Sequence, residues 1–345
     1  MSGPDVDILV VGAGPVGLGA AVMATQAGFS VAVAERRADP VDKACGEGLM
    51  PSAVLALAAL GVDPDGRAFR GIRYVAADGT RSAQALFPNG TGRGVRRTVL
   101  HTAMRQRVAA LDVGRLDLDI GQVRQDPTGV LAGGVRARWL LAADGLHSGI
   151  RRQLDLQLPA PPRPRYGLRR HFQLAPWTDL VEVHWAQDAE AYVTPVGPDE
   201  VGVAVLTEVR GRPFGEWLER FPALRDRLRC SSPCTAVLGA GPLEQSSSRR
   251  VAGRVLLVGD AAGYVDALTG EGIAVGLAQA SAAVDCLRRG RPQDYERAWR
   301  VATRRYRVLT RAVLFAARHE ALRRRLVPAA SAAPGLFAAA VRALA

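Results

Sequence analysis

The first 35 residues contain the feature that most constrains the fold. The β-branched run Val6–Val11 is followed by a glycine-rich loop that begins at Gly12, an alanine-rich helical stretch to residue 27 and a second strand-like run at residues 30–34. In this order these pieces form the βαβ unit in which a helix N-terminus binds the pyrophosphate of a dinucleotide. The sequence therefore predicts an α/β protein with a nucleotide site at its first turn.

Each residue of the loop from Gly12 to Gly17 has a separate task in such a turn. Gly12 allows the tight turn, Gly14 lets the backbone approach the phosphates, and Gly17 lets the helix pack closely on the strand. Ala13 and Pro15 complete the loop. We expect all five to lie in the cofactor site.

An acidic residue ends the second strand where a ribose would lie. Glu35 follows Gly14 by 21 residues, a spacing at which a carboxylate accepts hydrogen bonds from ribose hydroxyls. Arg36, the next residue, joins it in the predicted cofactor site. This unit alone does not distinguish NAD from FAD, so later motifs must decide.

Three later motifs narrow the choice between NAD and FAD as the cofactor. One strand-like run ends at Asp144-Gly145, and a second ends at a Gly-Asp pair whose acid is Asp260. Between the first turn and these runs, Arg97 begins an amphipathic helix with apolar residues three and seven positions later.

In this order and spacing, the motifs resemble those of the single-component FAD monooxygenases of the aromatic-hydroxylase type and of their relatives, the geranylgeranyl reductases. The resemblance extends from about residue 5 to about residue 290. It implies a Rossmann-like FAD-binding domain with an inserted, mostly antiparallel β-sheet substrate domain and C-terminal helices. FAD is the implied cofactor, and NAD(P)H is a transient reductant without a nucleotide domain of its own.

The resemblance also divides the chain. The discontinuous FAD-binding domain comprises residues 1–70, 95–160 and 245–290. The substrate-binding sheet comprises residues 71–94 and 161–244, and a helical segment comprises residues 291–345.

Residue roles follow from the same resemblance. Asp260 holds the ribityl chain, Arg97 reaches the phosphates or the ribityl chain, and Asp144 with Gly145 supports the flavin and the nicotinamide approach. Gly270 and Gly272 stand where a helix begins, and the partial positive charge of that terminus stabilises the negative charge of reduced flavin. The predicted cofactor set is Gly12, Ala13, Gly14, Pro15, Gly17, Glu35, Arg36, Arg97, Val123, Asp144, Gly145, Asp260, Gly270, Gly272 and Ile273.

A second loop contains the remaining catalytic candidate. The run Lys43-Ala-Cys45-Gly-Glu47-Gly resembles the geranylgeranyl-reductase branch and passes the flavin ring in that family. Cys45 is then a flavin neighbour or a proton donor, although a small buried cysteine is the commoner structural role. With Gly270 and Gly272, Cys45 completes the predicted catalytic set. Lys43 alone suggests a flavin halogenase, but the Trp-x-Trp-x-Ile-Pro pattern of those enzymes is absent from the sequence.

Alternating runs between turns predict the substrate sheet. They lie at residues 71–76, 81–87, 166–174, 180–186, 190–195 and 201–206. The stretch that begins at Tyr192 occupies the place of the Tyr-x-Trp-x-Phe-Pro motif of geranylgeranyl reductases but lacks its tryptophan and phenylalanine, which leaves room for a bulkier acceptor. The candidate substrate contacts, each equally open to simple sheet packing, are Glu47, His184, Trp185, Tyr192, Thr194 and Pro195. No partner pattern is found for His171 or His319, to which we assign structural roles.

Charge is concentrated near the C-terminus. The net charge is +12, and the segment 297–325, from Arg297 to Arg325, has ten arginines and one acid, Glu320. We expect one basic amphipathic helix there, with a solvated outer face, a membrane surface or an acidic carrier protein as the three interpretations. Nucleic-acid binding has no supporting motif.

Two further features bound the class of protein. Four scattered cysteines suit neither a disulfide scaffold nor a metal site. The late apolar stretch is interrupted by prolines and an arginine, so we expect no transmembrane segment. We predict a cytoplasmic protein, with peripheral membrane attachment left open.

The function expected from the resemblance is that of an FAD-dependent monooxygenase. It would use NAD(P)H and O₂ to hydroxylate or epoxidise a hydrophobic aromatic or prenylated small molecule in natural product biosynthesis. The first alternative is a reductase that saturates a carbon–carbon double bond of a prenyl-type substrate. The second is a prenyl-binding escort protein without FAD.

Overall fold

The computed structural model describes residues 4–342. Residues 1–3 and 343–345, at the outer ends of the predicted FAD-binding and helical segments, lie outside the described residues. Within residues 4–342, the strands in chain order are β1 (Val6–Val11), β2 (Val31–Ala34), β3 (Gly48–Leu49), β4 (Arg67–Phe69), β5 (Gly71–Ala76), β6 (Ser82–Leu86), β7 (Gly92–Gly94), β8 (Gly114–Leu116), β9 (Val123–Asp126), β10 (Gly129–Ala132), β11 (Val135–Ala142), β12 (Tyr166–Gln173), β13 (Val181–Trp185), β14 (Ala189–Gly197), β15 (Glu200–Thr207), β16 (Ser232–Pro233), β17 (Leu238–Ala240), β18 (Val251–Ala252) and β19 (Val255–Leu257).

Within the same residues, the first six α-helices lie between strands along the chain, and the last four follow β19. They are α1 (Pro15–Gln26), α2 (Pro51–Ala59), α3 (Arg97–Ala109), α4 (Gly149–Gln153), α5 (Phe214–Leu218), α6 (Pro222–Leu228), α7 (Gly272–Arg288), α8 (Tyr295–Arg318), α9 (Glu320–Ala332) and α10 (Pro334–Arg342). Short 3₁₀ helices lie at Gly259–Ala262 and Pro292–Asp294.

A parallel sheet in the order β19-β11-β1-β2-β8 forms the first layer, with β18 and the β9–β10 hairpin added antiparallel. The last four residues of its central strand β1 are apolar and buried, and α1 packs against β1, β2 and β11. Val11 lies opposite Ala142 on one side and Ala34 on the other. The loops that follow these three strands therefore meet at one edge, where ligands bind in such sheets. The predicted Rossmann-like fold is confirmed.

A second sheet, also of eight strands, has the order β16-β12-β15-β14-β13-β5-β6, with β17 also paired to β12. All pairs are antiparallel except β13 with β5, which come from separate segments of the chain. The six strand-like runs of the sequence form six of its eight strands, with ends shifted by at most two residues, and β16 and β17 are additional. The prediction of a mostly antiparallel sheet is confirmed.

A small sheet, β3-β7-β4, connects the two layers and is absent from the sequence prediction. Strands of two or three residues have no measurable alternation, so the pattern could not indicate them. At Gly94 of β7, an added Cβ would lie only 1.8 Å from the carbonyl oxygen of Pro195. Glycine is thus required where this small sheet approaches β14.

The basic segment 297–325 contains two helices rather than the single one expected. The break is at His319, whose extended φ of −100° and ψ of 112° end α8 before α9 begins at Glu320. The later helices return to the substrate sheet, where the rings of Phe337 and Tyr74 are 4.7 Å apart. Among residues 4–342, no helix combines the length and hydropathy that crossing a membrane requires.

Candidate functional site

A cavity of about 870 Å³ lies between the parallel sheet and the antiparallel sheet. One end is polar and is formed by the loops at the edge of the parallel sheet, with Gly14, Arg97 and Asp260 in its wall. The other end lies against β5, β13 and β15 and is lined mainly by apolar side chains, among them Phe69, Ile72, Val181, Val183, Leu206 and Leu243.

The loop after β1 has no room for side chains at two of its glycines. Gly12 has a φ of +103°, and a Cβ there would lie 2.4 Å from the carbonyl oxygen of Ala143. A Cβ on Gly17 would lie 1.8 Å from the carbonyl oxygen of Gly12. Pro15 follows as the first residue of α1. The loop therefore brings bare backbone and a helix N-terminus to the cavity, an arrangement that suits a phosphate.

Glu35, at the end of β2, stabilises this loop through hydrogen bonds to its carboxylate. One carboxylate oxygen accepts the backbone N–H of Ala13 at 2.9 Å, and the other accepts the N–H groups of Arg36 and Arg37 at 3.1 Å each. Arg36 lines the cavity and lies 3.6 Å from Asp119. The oxygen that accepts from Ala13 has a second lone pair, so Glu35 retains acceptor capacity for a ribose hydroxyl.

Arg97 is the cation that faces the loop. It begins α3, is buried, and would have its guanidinium 3.7 Å from a Cβ on Gly14. Its Nε has no hydrogen-bond partner among residues 4–342. Buried polar groups are normally satisfied, and a guanidinium is suited to phosphate oxygens. The residues present thus fit the pyrophosphate of a dinucleotide.

Two aspartates complete the polar end. Asp260, after β19, lies in the cavity wall, and burial raises its pKa against the opposing effect of Lys43, Arg97 and Arg151. Asp144, after β11, accepts the backbone N–H of Ile150 at 3.2 Å through one oxygen. Its other oxygen has no partner among the described residues. Both carboxyl groups therefore have acceptor capacity toward the cavity.

Arg151 is a structural residue of this site that the sequence analysis missed. Its guanidinium is fully buried and donates to the carbonyl oxygens of Ala261 at 2.9 Å and Leu146 at 2.8 Å. These two residues belong to the loops after β19 and β11, so Arg151 fixes one loop against the other. The only sequence signal was an arginine soon after Asp144-Gly145.

The N-terminus of α7 lies at the same end of the cavity. Gly270 has a φ of +69°, and Gly272 and Ile273 begin the helix and line the cavity. The unpaired N–H groups of a first turn have partial positive charge. Glu271 is 8% exposed, and burial raises its pKa to about 7.

The loop between β2 and α2 is held by a buried network. Glu47, at a φ of +59°, accepts the backbone N–H of Arg97 at 2.8 Å through one oxygen, and its other oxygen is 2.5 Å from Nε2 of His171. The Nδ1 of His171 lies 3.0 Å from the hydroxyl of Thr235 and 3.1 Å from Arg169. Glu47 was expected to contact substrate; it lines the cavity, and both its oxygens also fix this loop. The sequence offered no partner for His171, and the structure supplies one.

Cys45 lies in this loop and in the cavity wall. Its Sγ accepts the backbone N–H of Glu47 at 3.4 Å. Burial raises the pKa of Cys45, and the guanidinium of Arg97 opposes that increase. The neutral thiol is thus the favoured state near neutral pH.

At the apolar end, two predicted contacts line the cavity. The hydroxyl of Tyr192 donates to the carbonyl oxygen of Leu268 at 3.1 Å, and that of Thr194 donates to the carbonyl oxygen of Gly46 at 2.8 Å. Both residues are on β14. Thr194 therefore connects the substrate sheet to the loop that contains Cys45.

Two other predicted contacts, His184 and Trp185, lie outside the cavity wall. His184 is on the opposite face of β13 from Val183 and pairs with Glu182 at 3.1 Å, because side chains of a strand alternate. Trp185 packs edge-on against Tyr74, with ring centroids 5.3 Å apart.

Pro195, a predicted substrate contact, and Val123, a predicted cofactor contact, also lie outside the cavity wall. Pro195 contributes its carbonyl oxygen to the close contact with Gly94. Val123 is buried in β9, and its backbone N–H donates to Gln153 at 2.7 Å. Neither side chain belongs to the cavity lining.

The chain resembles FAD-binding proteins and named reductases. The profile of the family described as FAD binding domain matches residues 5–70. Menaquinone reductase of Mycolicibacterium smegmatis is 31% identical over 326 residues, which cover 85% of this chain and 79% of that protein. Digeranylgeranylglycerophospholipid reductase 1 of Methanothermobacter thermautotrophicus is 27% identical over 304 residues, which cover 79% of this chain and 74% of that protein.

Solved structures show the same fold. A geranylgeranyl bacteriochlorophyll reductase-like protein from Thermoplasma acidophilum has a TM-score of 0.79 and 20% identity, covering 94% of this chain and 90% of that chain. A flavin-dependent brominase has a TM-score of 0.82 and 15% identity, covering 98% and 93%. The chain therefore belongs to the family of FAD-dependent oxidoreductases that includes the menaquinone and digeranylgeranylglycerophospholipid reductases.

Proposed function

We propose that this protein is a flavin-dependent reductase that saturates a carbon–carbon double bond in the isoprenoid chain of a lipophilic molecule. The observation that supports this most directly is the continuity of the cavity. The polar end that fits FAD opens into a compartment walled by side chains such as Phe69, Val181 and Leu206. An isoprenoid chain offers only apolar surface and double bonds, so such a wall matches it along its length.

The relatives support reduction rather than oxygenation. Both curated relatives are named as reductases. Menaquinone and digeranylgeranylglycerophospholipid, the molecules in their names, both contain isoprenoid chains. The sequence analysis favoured oxygenation of an aromatic or prenylated molecule, with reduction as the alternative. Oxygenation remains an untested prediction that the experiment below decides.

Saturating an alkene requires a hydride equivalent on one carbon and a proton on the other. The polar end, with Gly14, Arg97 and Asp260, would hold FAD, and the bound cofactor would supply the hydride equivalent after reduction by NAD(P)H. We assign the proton to the thiol of Cys45, because this group lies in the cavity wall and burial keeps it protonated. Its S–H bond breaks as the new C–H bond forms, Arg97 stabilises the resulting thiolate, and water restores the proton at the next turnover.

The surrounding residues position this thiol. Glu47 fixes the loop to α3 and to His171 of β12, and Thr194 fixes it to β14. These contacts join one loop to three separate elements. They limit movement of Cys45 relative to any molecule held against the substrate sheet, which is what proton transfer requires.

The apolar walls have a second task, which is to exclude water. An alkene gains no hydrogen bonds from its site, so selectivity depends on shape and on the absence of charged groups. Thr194 stands where the geranylgeranyl-reductase motif has a tryptophan. We infer that the smaller side chain admits a bulkier group near the loop, such as a ring attached to the isoprenoid chain.

The test is an anaerobic incubation of the FAD-loaded protein with NADPH or dithionite and two detergent-dispersed substrates, menaquinone and a geranylgeranyl-containing glycerolipid. We expect mass spectrometry to show the gain of two hydrogens per double bond. In D₂O, the hydrogen delivered as a proton should be deuterium, and with dithionite as reductant both should be, because solvent then supplies both hydrogens. A product that forms only in air and contains ¹⁸O from labelled O₂ would contradict reduction and support oxygenation.

Two variants test the assignment of the proton. Cys45→Ala should reduce turnover by about 10²-fold, the usual contribution of a positioned acid, while the flavin absorbance of the purified protein stays unchanged. Cys286→Ala is the control, because Cys286 is buried in α7 away from the cavity wall. Equal turnover in the two variants would refute the role of Cys45.

A further inference from the structure

The outward face of α8 has a regular row of exposed apolar side chains. Val301 is 73% exposed, Val308 60% and Phe315 58%. They are seven residues apart and therefore lie along one side of the helix. Leu322, 42% exposed, lies on the neighbouring helix α9, beyond the break at His319. The buried side of α8, with Trp299 and Leu314 among its residues, packs against the rest of the protein.

A second row, of arginines, runs beside the first. Arg297, Arg304 and Arg311 are also seven residues apart, and each precedes an apolar member of the first row by four positions. All three are exposed, and none is ion-paired with a carboxylate among residues 4–342. A partner that binds this face can therefore bury apolar surface and neutralise cations at the same time.

We propose that this face of α8, with Leu322, binds the surface of an anionic lipid bilayer. In a helix lying in the plane of a bilayer, apolar side chains enter the acyl boundary while arginines extend to the phosphates. Alternation of the two residue types along one face meets both requirements at once. An acidic protein would use the arginines but would not need the row of three exposed apolar residues on α8.

The position of this face relates membrane binding to the cavity. Arg318, at the end of α8 and three residues after Phe315, pairs with Glu208 at 3.0 Å. The next residues, Val209 and Arg210, are exposed and line the cavity. The membrane-binding face thus ends beside an opening of the cavity. Transfer of a membrane lipid into that opening rests on the proposed function, whereas binding itself does not.

The experiment is flotation of the full-length, FAD-loaded protein with vesicles of phosphatidylcholine alone or mixed with phosphatidylglycerol. We expect binding to the mixed vesicles only, weakened by salt. Phe315→Ser and Arg304→Glu should each weaken it, the charge reversal by at least about fivefold, the usual contribution of one basic residue near an anionic surface. Turnover of a detergent-dispersed substrate should be unchanged in both variants, which separates failure of binding from failure of the proposed reaction.

Matched controls lie on other surfaces. Leu55→Ser removes an exposed apolar side chain from α2, and Arg229→Glu reverses an exposed charge after α6. Both should bind vesicles like the original protein. The proposal is overturned if the original protein ignores phosphatidylglycerol, or if the α8 variants bind as well as these controls. Sedimentation velocity showing a dimer that Phe315→Ser dissociates would overturn it by assigning the face to a second copy.

Discussion

The carboxyl group of Glu271 should make stability depend on pH. It stands at the N-terminus of α7, is 8% exposed, and has one oxygen without a hydrogen-bond partner among residues 4–342. Burial raises its pKa to about 7, and the charge of Arg305 and a hydrogen bond with Thr269 only partly oppose this. Glu271→Gln keeps the shape of the side chain and removes the ionisation.

The magnitude follows from the pKa. The ordinary value of 4.5 rises to about 7 in the folded protein, and each unit corresponds to about 1.4 kcal/mol. A raised pKa means that the folded state binds the proton more tightly. Its contribution is therefore complete below about pH 4.5 and is lost as the pH rises through 7. The total loss is about 3 kcal/mol, of which about 2 kcal/mol falls between pH 5 and pH 8.

Urea unfolding at pH 5 and pH 8 measures this contribution. The difference in unfolding free energy between Glu271→Gln and the original protein should favour the variant by about 2 kcal/mol more at pH 8 than at pH 5. Comparing two pH values cancels any effect of the amide that does not depend on pH. Glu219→Gln, at a side chain that is 62% exposed, is the matched surface control for the substitution. A constant difference for Glu271→Gln would mean that this carboxyl is hydrated, and the argument would be refuted.

Three further predictions concern the cofactor site. Arg97→Gln should weaken FAD binding by about 10- to 100-fold in a fluorescence titration of the apoprotein, because a charge-assisted hydrogen bond contributes about 1.5–3 kcal/mol, whereas Arg107→Gln on the same helix should not; equal affinities would place the phosphates elsewhere. Gly17→Ala should yield protein without flavin absorbance, since its Cβ would lie 1.8 Å from a carbonyl oxygen, and Gly215→Ala, with open space around it, should retain FAD. Glu47→Ala should lower the unfolding free energy by about 3–5 kcal/mol, since it removes one partner of a buried pair, and a loss below 1 kcal/mol would show that the pair is not strong.

The cofactor end of the site was predictable because its chemistry is local. A backbone that turns tightly and touches phosphates requires glycine at fixed positions, so Gly12, Gly14 and Gly17 are visible in one short run of sequence. The same holds for Arg97 and Asp260, each of which begins or follows a regular element. In such places a short motif is enough to predict most of the local geometry.

The substrate end was not predictable to the same degree. Alternation shows that a strand has two faces but does not say which face meets a cavity. His184 and Val183 are neighbours in sequence, yet only Val183 lines the cavity. The pairing of Glu47 with His171 joins residues 124 positions apart. No local pattern indicates such a contact, so only the folded chain shows it.

The arginines near the C-terminus show why a count of charges is not a description of a surface. The break at His319 turns α9 inward, and Arg323 then pairs with the fully buried Glu190, which also accepts from Arg165 at 2.7 Å. Reversing the charge of Arg323 would place a second carboxylate against Glu190 and destabilise the fold whether or not the surface has a partner. The arginines that can report on binding are the outward row that begins at Arg297, because their loss leaves no buried charge unpaired.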